Sequence, residues 1–117
     1  MPHDPHAAVL DMILAAERAL RLTAGLSQTE FIGNETVQWA IFSQIVILGE
    51  AAGRVERVFQ DAHPVVPWAD IIGMRHRLVH GYDSVDWVRV WKTIEKDLPP
   101  LLQHLRDLVP AQGEKGQ

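Results

Sequence analysis

Between positions 75 and 82 the chain reads RHRLVHGY, which gathers Arg75, His76, Arg77, His80 and Tyr82 on one short segment. A guanidinium can hold a phosphate through two parallel hydrogen bonds, and an imidazole can take up or release a proton near neutral pH. Together they suffice to cleave RNA without a metal, because the 2′-hydroxyl of the RNA is itself the nucleophile. Two other readings fit the same residues. His76 and His80 are four apart, the spacing at which two imidazoles on a helix hold zinc, with His63, His104 or a carboxylate as a third ligand. The glutamate of the HExxH metalloprotease pattern is missing from this pair, however. Alternatively Arg75, Arg77 and His80 complement the dipole at a helix C-terminus, worth about 0.3–1 kcal/mol each, and Tyr82 is a packed amphipathic aromatic.

The path of the backbone decides which side chains can meet. On an unbroken helix, residues five apart point about 140° away from each other, so Arg75 and His80 diverge while His76 and His80 share a face. Gly81 offers a way out. If the helix unwinds just after Val79, His80 leaves the helical path and can approach Arg75, in its own chain or across a symmetric dimer.

The rest of the chain sets the context for this segment. Its 117 residues suit one domain with a core of its own, expected over residues 1–110, with the polar stretch 111–117 as a disordered tail. A formal charge of −4 lacks the basic excess that drives sequence-independent nucleic-acid binding, so any nucleic acid must be gripped locally. The absence of cysteine excludes disulfides, thiol nucleophiles and cysteine-ligated metals. The opening residues are interrupted by acids, and the apolar run from Ala40 to Ala52 is short and carries Gln44 and Glu50. Neither a signal peptide nor a membrane span is therefore expected, and the expected compartment is the cytoplasm.

Helical periodicity dominates, with no useful two-residue alternation. Asp4 followed by Pro5 predicts a helix start, and Val9, Leu10, Ile13, Leu14 and Leu20 give that helix an apolar stripe up to Gly25. SQTE at 27–30 is a capping box for a short turn around Phe31. Asn34 should cap a long helix reaching about Gln60, in which Gly49 and Gly53 imply the close approach of a neighbour. After a loop bounded by Pro64 and Pro67, a helix starting at Pro67 carries the 75–80 cluster to Gly81. Asp83 or Ser84 should cap a last helix, which Val88, Trp91, Ile94, Leu98, Leu101, Leu102, Leu105 and Leu108 bury and which Pro99-Pro100 kinks or splits. The expected fold is an all-α, up-and-down antiparallel bundle with Leu14, Ile45, Leu48, Ile72 and Ile94 in its core.

The segment Arg75-x4-His80-x-Tyr82 is preceded by VPWADIIGMR and followed by DSVDWVRVWKTIEKDLP. With TAGLSQTEF at 23–31 and LGEAAGRV at 48–55, this pattern resembles the HepT family of HEPN-domain proteins from Asp4 to about Leu108. The resemblance implies a homodimeric helical ribonuclease, the toxin of a toxin–antitoxin pair whose partner is an MNT-type nucleotidyltransferase antitoxin. It implies Arg75 and His80 as the catalytic pair, His76 and Arg77 as supporting residues, and Tyr82 as the tyrosine that the partner modifies with AMP. No metal or other cofactor is implied. Where many relatives carry asparagine directly after the arginine, this chain carries His76, whose ring replaces part of the amide's hydrogen bonding but not its geometry.

The implied chemistry matches that read from the residues. Arg75 would hold the scissile phosphate, and His80 would move the proton of the 2′-hydroxyl or of the leaving 5′-oxygen, giving a 2′,3′-cyclic phosphate. The alternative is a HEPN module without catalysis, which binds a nucleotidyltransferase or a nucleotide and uses the cluster for phosphate recognition alone.

Overall fold

The structure, a computed structural model, describes residues 4–109; the expected tail at 111–117 lies outside them. Among the described residues seven α-helices follow one another: α1 (Pro5–Thr23), α2 (Gln28–Ile32), α3 (Glu35–Arg54), α4 (Arg57–Ala62), α5 (Trp68–His80), α6 (Trp87–Lys92) and α7 (Leu98–Asp107). A 3₁₀ turn at Tyr82–Ser84 leads into α6, and a π turn at Thr93–Asp97 joins α6 to α7. No strand occurs among the described residues, and the chain is the expected all-α bundle.

Local capping fixes most of the boundaries. The Asp4 carboxylate accepts from the His6 amide with Pro5 at the first helical position. Ser27 and Glu30 form the reciprocal capping box at 3.1 and 2.8 Å, and Asn34 accepts from the Val37 amide at 3.0 Å. Gly25 lies at φ +79°, where a side chain would be strained, and so turns the chain out of α1.

α3 buries Ile41, Ile45, Leu48, Ala51 and Ala52 between α1 and α5. Asp11, in the first half of α1, meets Arg54, at the end of α3, at 2.7 Å, as an antiparallel pair requires. On α1 the buried face is made largely of small residues, Ala8, Ala15, Ala16 and Ala19, together with Val9, Met12 and Ile13. Leu14, expected in the core, is instead 44% exposed, and Leu10 and Val88 also face outward. Ile45, Leu48 and Ile94 are buried as expected, and Ile72 packs against the core half-buried.

The long helix expected to reach Gln60 stops at Arg54. Val55 turns to an extended conformation with its side chain buried, and a new helix starts after Glu56. The carbonyls at this helix end gain a donor from further along: the Gln60 amide donates to Val55 O at 3.0 Å and to Ala52 O at 3.4 Å, the latter also accepting from the Val55 amide. Of the two glycines in α3, Gly49 abuts α5, whereas Gly53 has no neighbour within 4 Å of the place a Cβ would take. The expected close approach therefore holds for Gly49 and fails for Gly53.

The loop before α5 is closed by the Trp68 indole, which donates to the His63 carbonyl at 3.0 Å, and Pro67 is the cap residue of α5 and not its first helical residue. Asp83 and Ser84 sit in the 3₁₀ turn, and Asp86 caps α6 by accepting from the Arg89 amide at 3.1 Å. Pro99 and Pro100 cannot donate to the helical ladder. Just ahead of them the ladder slips by one residue, Leu98 N–H bonding Thr93 O, which is the π turn. Phe31, fully buried, lies 5.3 Å from Trp91 and 6.1 Å from Trp87, ring centre to ring centre, and pins α2 on α6. Trp39 on α3 completes this cluster, 5.6 Å from Trp87. The buried Gln38 amide donates to the Phe31 and Ile32 carbonyls at the end of α2.

Candidate functional site

α5 carries the cluster because its apolar side, Trp68, Ile71 and Leu78, faces the core and leaves the polar residues to its flanks. The helix stays regular through His80, with the Gly81 amide bonded to the Arg77 carbonyl at 2.9 Å. The exit after Val79 that would have freed His80 does not occur. Arg75 and His80 consequently point in different directions on one chain.

Arg75 is the tightest-held member. Its Cβ and Cγ press on the bare backbone of Gly49, so a Cβ at position 49 would overlap the Arg75 Cβ and come within 2.9 Å of its Cγ. Its guanidinium Nη2 donates to Glu50 Oε1 at 2.9 Å, while Nε is buried with no hydrogen-bond partner among the described residues. The side chain keeps 31% of its surface open to solvent. The guanidinium is thus held at an edge of the α3–α5 interface with donors to spare.

His76 and His80 lie together one turn apart, ring centres 4.2 Å apart and planes inclined at 47°. Both are exposed. Arg77 leaves the helix on a different side and lines a groove of about 870 Å³, together with Met74, Arg89, Val90 and His104. A second hollow of about 830 Å³ between the 57–67 region and α5 is lined by both His76 and Arg77. Neither hollow is lined by Arg75, His80 or Tyr82. Tyr82 opens the 3₁₀ turn and is 63% exposed, against the reading of a packed aromatic.

The metal reading finds no third ligand: no group of three or more His, Asp or Glu side chains is suitably placed among the described residues. Three side chains join the surroundings of the cluster through contacts that no local sequence pattern reveals. Glu50, the ion-pair partner of Arg75, lies 25 residues away along the chain, with nothing local to connect the two. Arg89 and His104 reach the groove beside Arg77 only through the packing of α6 and α7. No helix among the described residues is long and apolar enough to cross a membrane.

Comparison with known proteins places the whole chain, not the cluster alone. A "Putative RNase" from Methanocaldococcus jannaschii is 30% identical over 98 residues, which span 84% of this chain and 90% of that protein. A "Probable ribonuclease HepT" from Thermococcus cleftensis is 32% identical over 91 residues, 78% of this chain and 83% of its own. A "Putative RNase" from Caldanaerobacter subterraneus is 32% identical over 85 residues, covering 73% and 76% respectively. No solved structure gives a significant match. The sequence profile of the family "Ribonuclease HepT-like" matches residues 12–108, from the first half of α1 to the end of α7 and across the whole Arg75–Tyr82 segment, and the chain belongs to that family.

Proposed function

We propose that the protein is a metal-independent endoribonuclease, the toxin of a HEPN/MNT pair, with Arg75 and His80 as its catalytic residues. The observation that carries this reading further than family membership is the regular helix through His80. Because Arg75 and His80 diverge on one chain, a groove that uses both needs a second copy, and a two-fold dimer supplies a second arginine and a second histidine to it.

In that groove the spare donors of Arg75 bind the scissile phosphate and neutralise the charge that builds on its oxygens. One His80 imidazole takes the proton of the 2′-hydroxyl, whose oxygen attacks phosphorus. The bond from phosphorus to the 5′-oxygen breaks, and the imidazole of the other copy donates a proton to the leaving oxygen. The products are a 2′,3′-cyclic phosphate and a free 5′-hydroxyl. His76 orients the phosphate or the imidazole in place of asparagine, and Arg77 adds positive charge beside it. Tyr82, exposed two residues beyond His80, is where a nucleotidyltransferase antitoxin transfers AMP from ATP: the phenolic oxygen gives up its proton and displaces pyrophosphate, and the AMP closes the groove with bulk and negative charge.

The test is cleavage of RNA by the purified protein. His80→Ala should lower the rate by about 10²–10⁴-fold with the fold intact. Arg75→Ala should remove both cleavage and much of the RNA affinity, and Arg75→Lys should restore little, since an ammonium cannot reproduce two parallel hydrogen bonds. EDTA should leave cleavage standing. Cleavage that survives both alanine substitutions would defeat the assignment. RNA binding without any cleavage would favour the alternative, a phosphate-recognising module.

A further inference from the structure

His76 and His80 have more in common than a helix face. Their ring centres are 4.2 Å apart, and neither imidazole has a hydrogen-bond partner among the described residues. Two ring nitrogens bound to one zinc ion at the usual 2.0–2.1 Å stand about 3.3 Å apart in tetrahedral geometry. Rings so close and mutually inclined reach that separation by small side-chain rotations, with the helix unchanged. Both are exposed, so an ion can enter and keep water on its remaining positions.

We propose that His76 and His80 form a two-imidazole chelate for a divalent transition-metal ion, zinc above all, and that the bound ion silences the site by occupying the His80 ring. The second half rests on the ribonuclease reading above; the first does not. A metal-bound imidazole nitrogen has no lone pair left with which to accept a proton, so an ion here removes the acid–base group directly. With only two protein ligands the ion is held modestly and exchanges, as an inhibitor should and a structural zinc does not. Imidazole selects zinc, copper and nickel over magnesium and calcium, which prefer oxygen ligands. The site depends on His76, the residue that departs from the asparagine common in the resembling family, so a chain carrying asparagine there has no such pair.

The experiment follows imidazole NMR signals of the intact protein during titration with zinc chloride, with magnesium chloride as the control. His76 and His80 signals should move together while those of His63 and His104 stay. His76→Asn should weaken zinc binding by about 100-fold, since the avidity of a two-point attachment is lost. Zinc should lower RNA cleavage in step with occupancy, EDTA should restore it, and the ratio of rates with and without zinc should return towards one in His76→Asn. That ratio is taken within the variant, so a change in its basal rate does not disturb it. Zinc leaving the two signals in place, or binding equally well to His76→Asn, overturns the chelate. Zinc bound at the pair without effect on cleavage overturns the inhibition. If the zinc-free protein cleaves no RNA, the ribonuclease reading and the inhibition fall with it, while the NMR titration still decides the chelate.

Discussion

Gly49 and Gly53 occupy the same helix four residues apart, and replacing each by alanine should move stability in opposite directions. Alanine relieves the conformational cost of a glycine within a helix, a gain of about 0.5–1 kcal/mol where nothing obstructs the methyl group. Gly53 meets that condition, with no atom within 4 Å of the new Cβ. At Gly49 the methyl would overlap the Arg75 Cβ and lie 2.9 Å from Cγ and 3.2 Å from Cδ. Cβ is tied to the α5 backbone and cannot swing away, so the two helices must part. Overpacking costs about 1–3 kcal/mol, and an overlap with a backbone-tied atom belongs to the upper part of that range, about 2–3 kcal/mol, which leaves Gly49→Ala destabilised by about 1–2.5 kcal/mol after the helix-propensity gain. The variants should therefore melt roughly 10 °C apart, on either side of the parent. Thermal and urea unfolding at matched protomer concentrations would read this, the matching keeping the proposed dimer equilibrium the same in every sample. Cleavage of RNA should fall in Gly49→Ala, whose Arg75 is displaced, and persist in Gly53→Ala. Two variants shifting the same way would refute the claim that Arg75 is seated by the bare backbone of α3.

Phe31→Ala should cost about 3–5 kcal/mol, the range for emptying a fully buried aromatic site, measured by urea denaturation. Gln60→Leu should cost about 1 kcal/mol in the same assay, because the Ala52 and Val55 carbonyls lose their shared donor. Light scattering at micromolar concentration should give the mass of a dimer, and a monomer alone would remove the second copy that the proposed groove requires. After co-expression with a nucleotidyltransferase antitoxin, mass spectrometry should find AMP on Tyr82 and none on the Tyr82→Phe protein; neutralisation without the label would favour steric capture.

What the sequence made legible was local. Asp4-Pro5, the SQTE box, Asn34 and Gly25 act on backbone groups within a few residues, and each helix end they mark is found. The end of α3 was hidden because Val55 is neither glycine nor proline; its break depends on Val55 burial and on Gln60 reaching back to the Val55 carbonyl. Leu14 misled because large residues dominate a hydrophobic stripe, whereas α1 meets its neighbours mainly through alanines that allow closer approach. The cluster at 75–82 stood out through residue types alone, which left open whether it handles a phosphate, a metal or the helix dipole. Its geometry depended on whether Gly81 ends the helix before or after His80, a difference of one residue that no cap residue specifies.

The aromatic cluster has a practical side for anyone following this protein in solution. Trp39, Trp87 and Trp91 surround the end where α2, α3 and α6 meet, close enough to one another or to Phe31 to exchange excitation energy. Intrinsic emission from the parent chain will therefore report mostly on that end, and a signal change on adding RNA or zinc says little about residues 75–82. The remaining indole, Trp68, starts α5 and lines the same hollow as His76. A chain in which Trp39, Trp87 and Trp91 are replaced by phenylalanine would turn Trp68 into a single optical probe on the helix that carries the Arg75–His80 cluster.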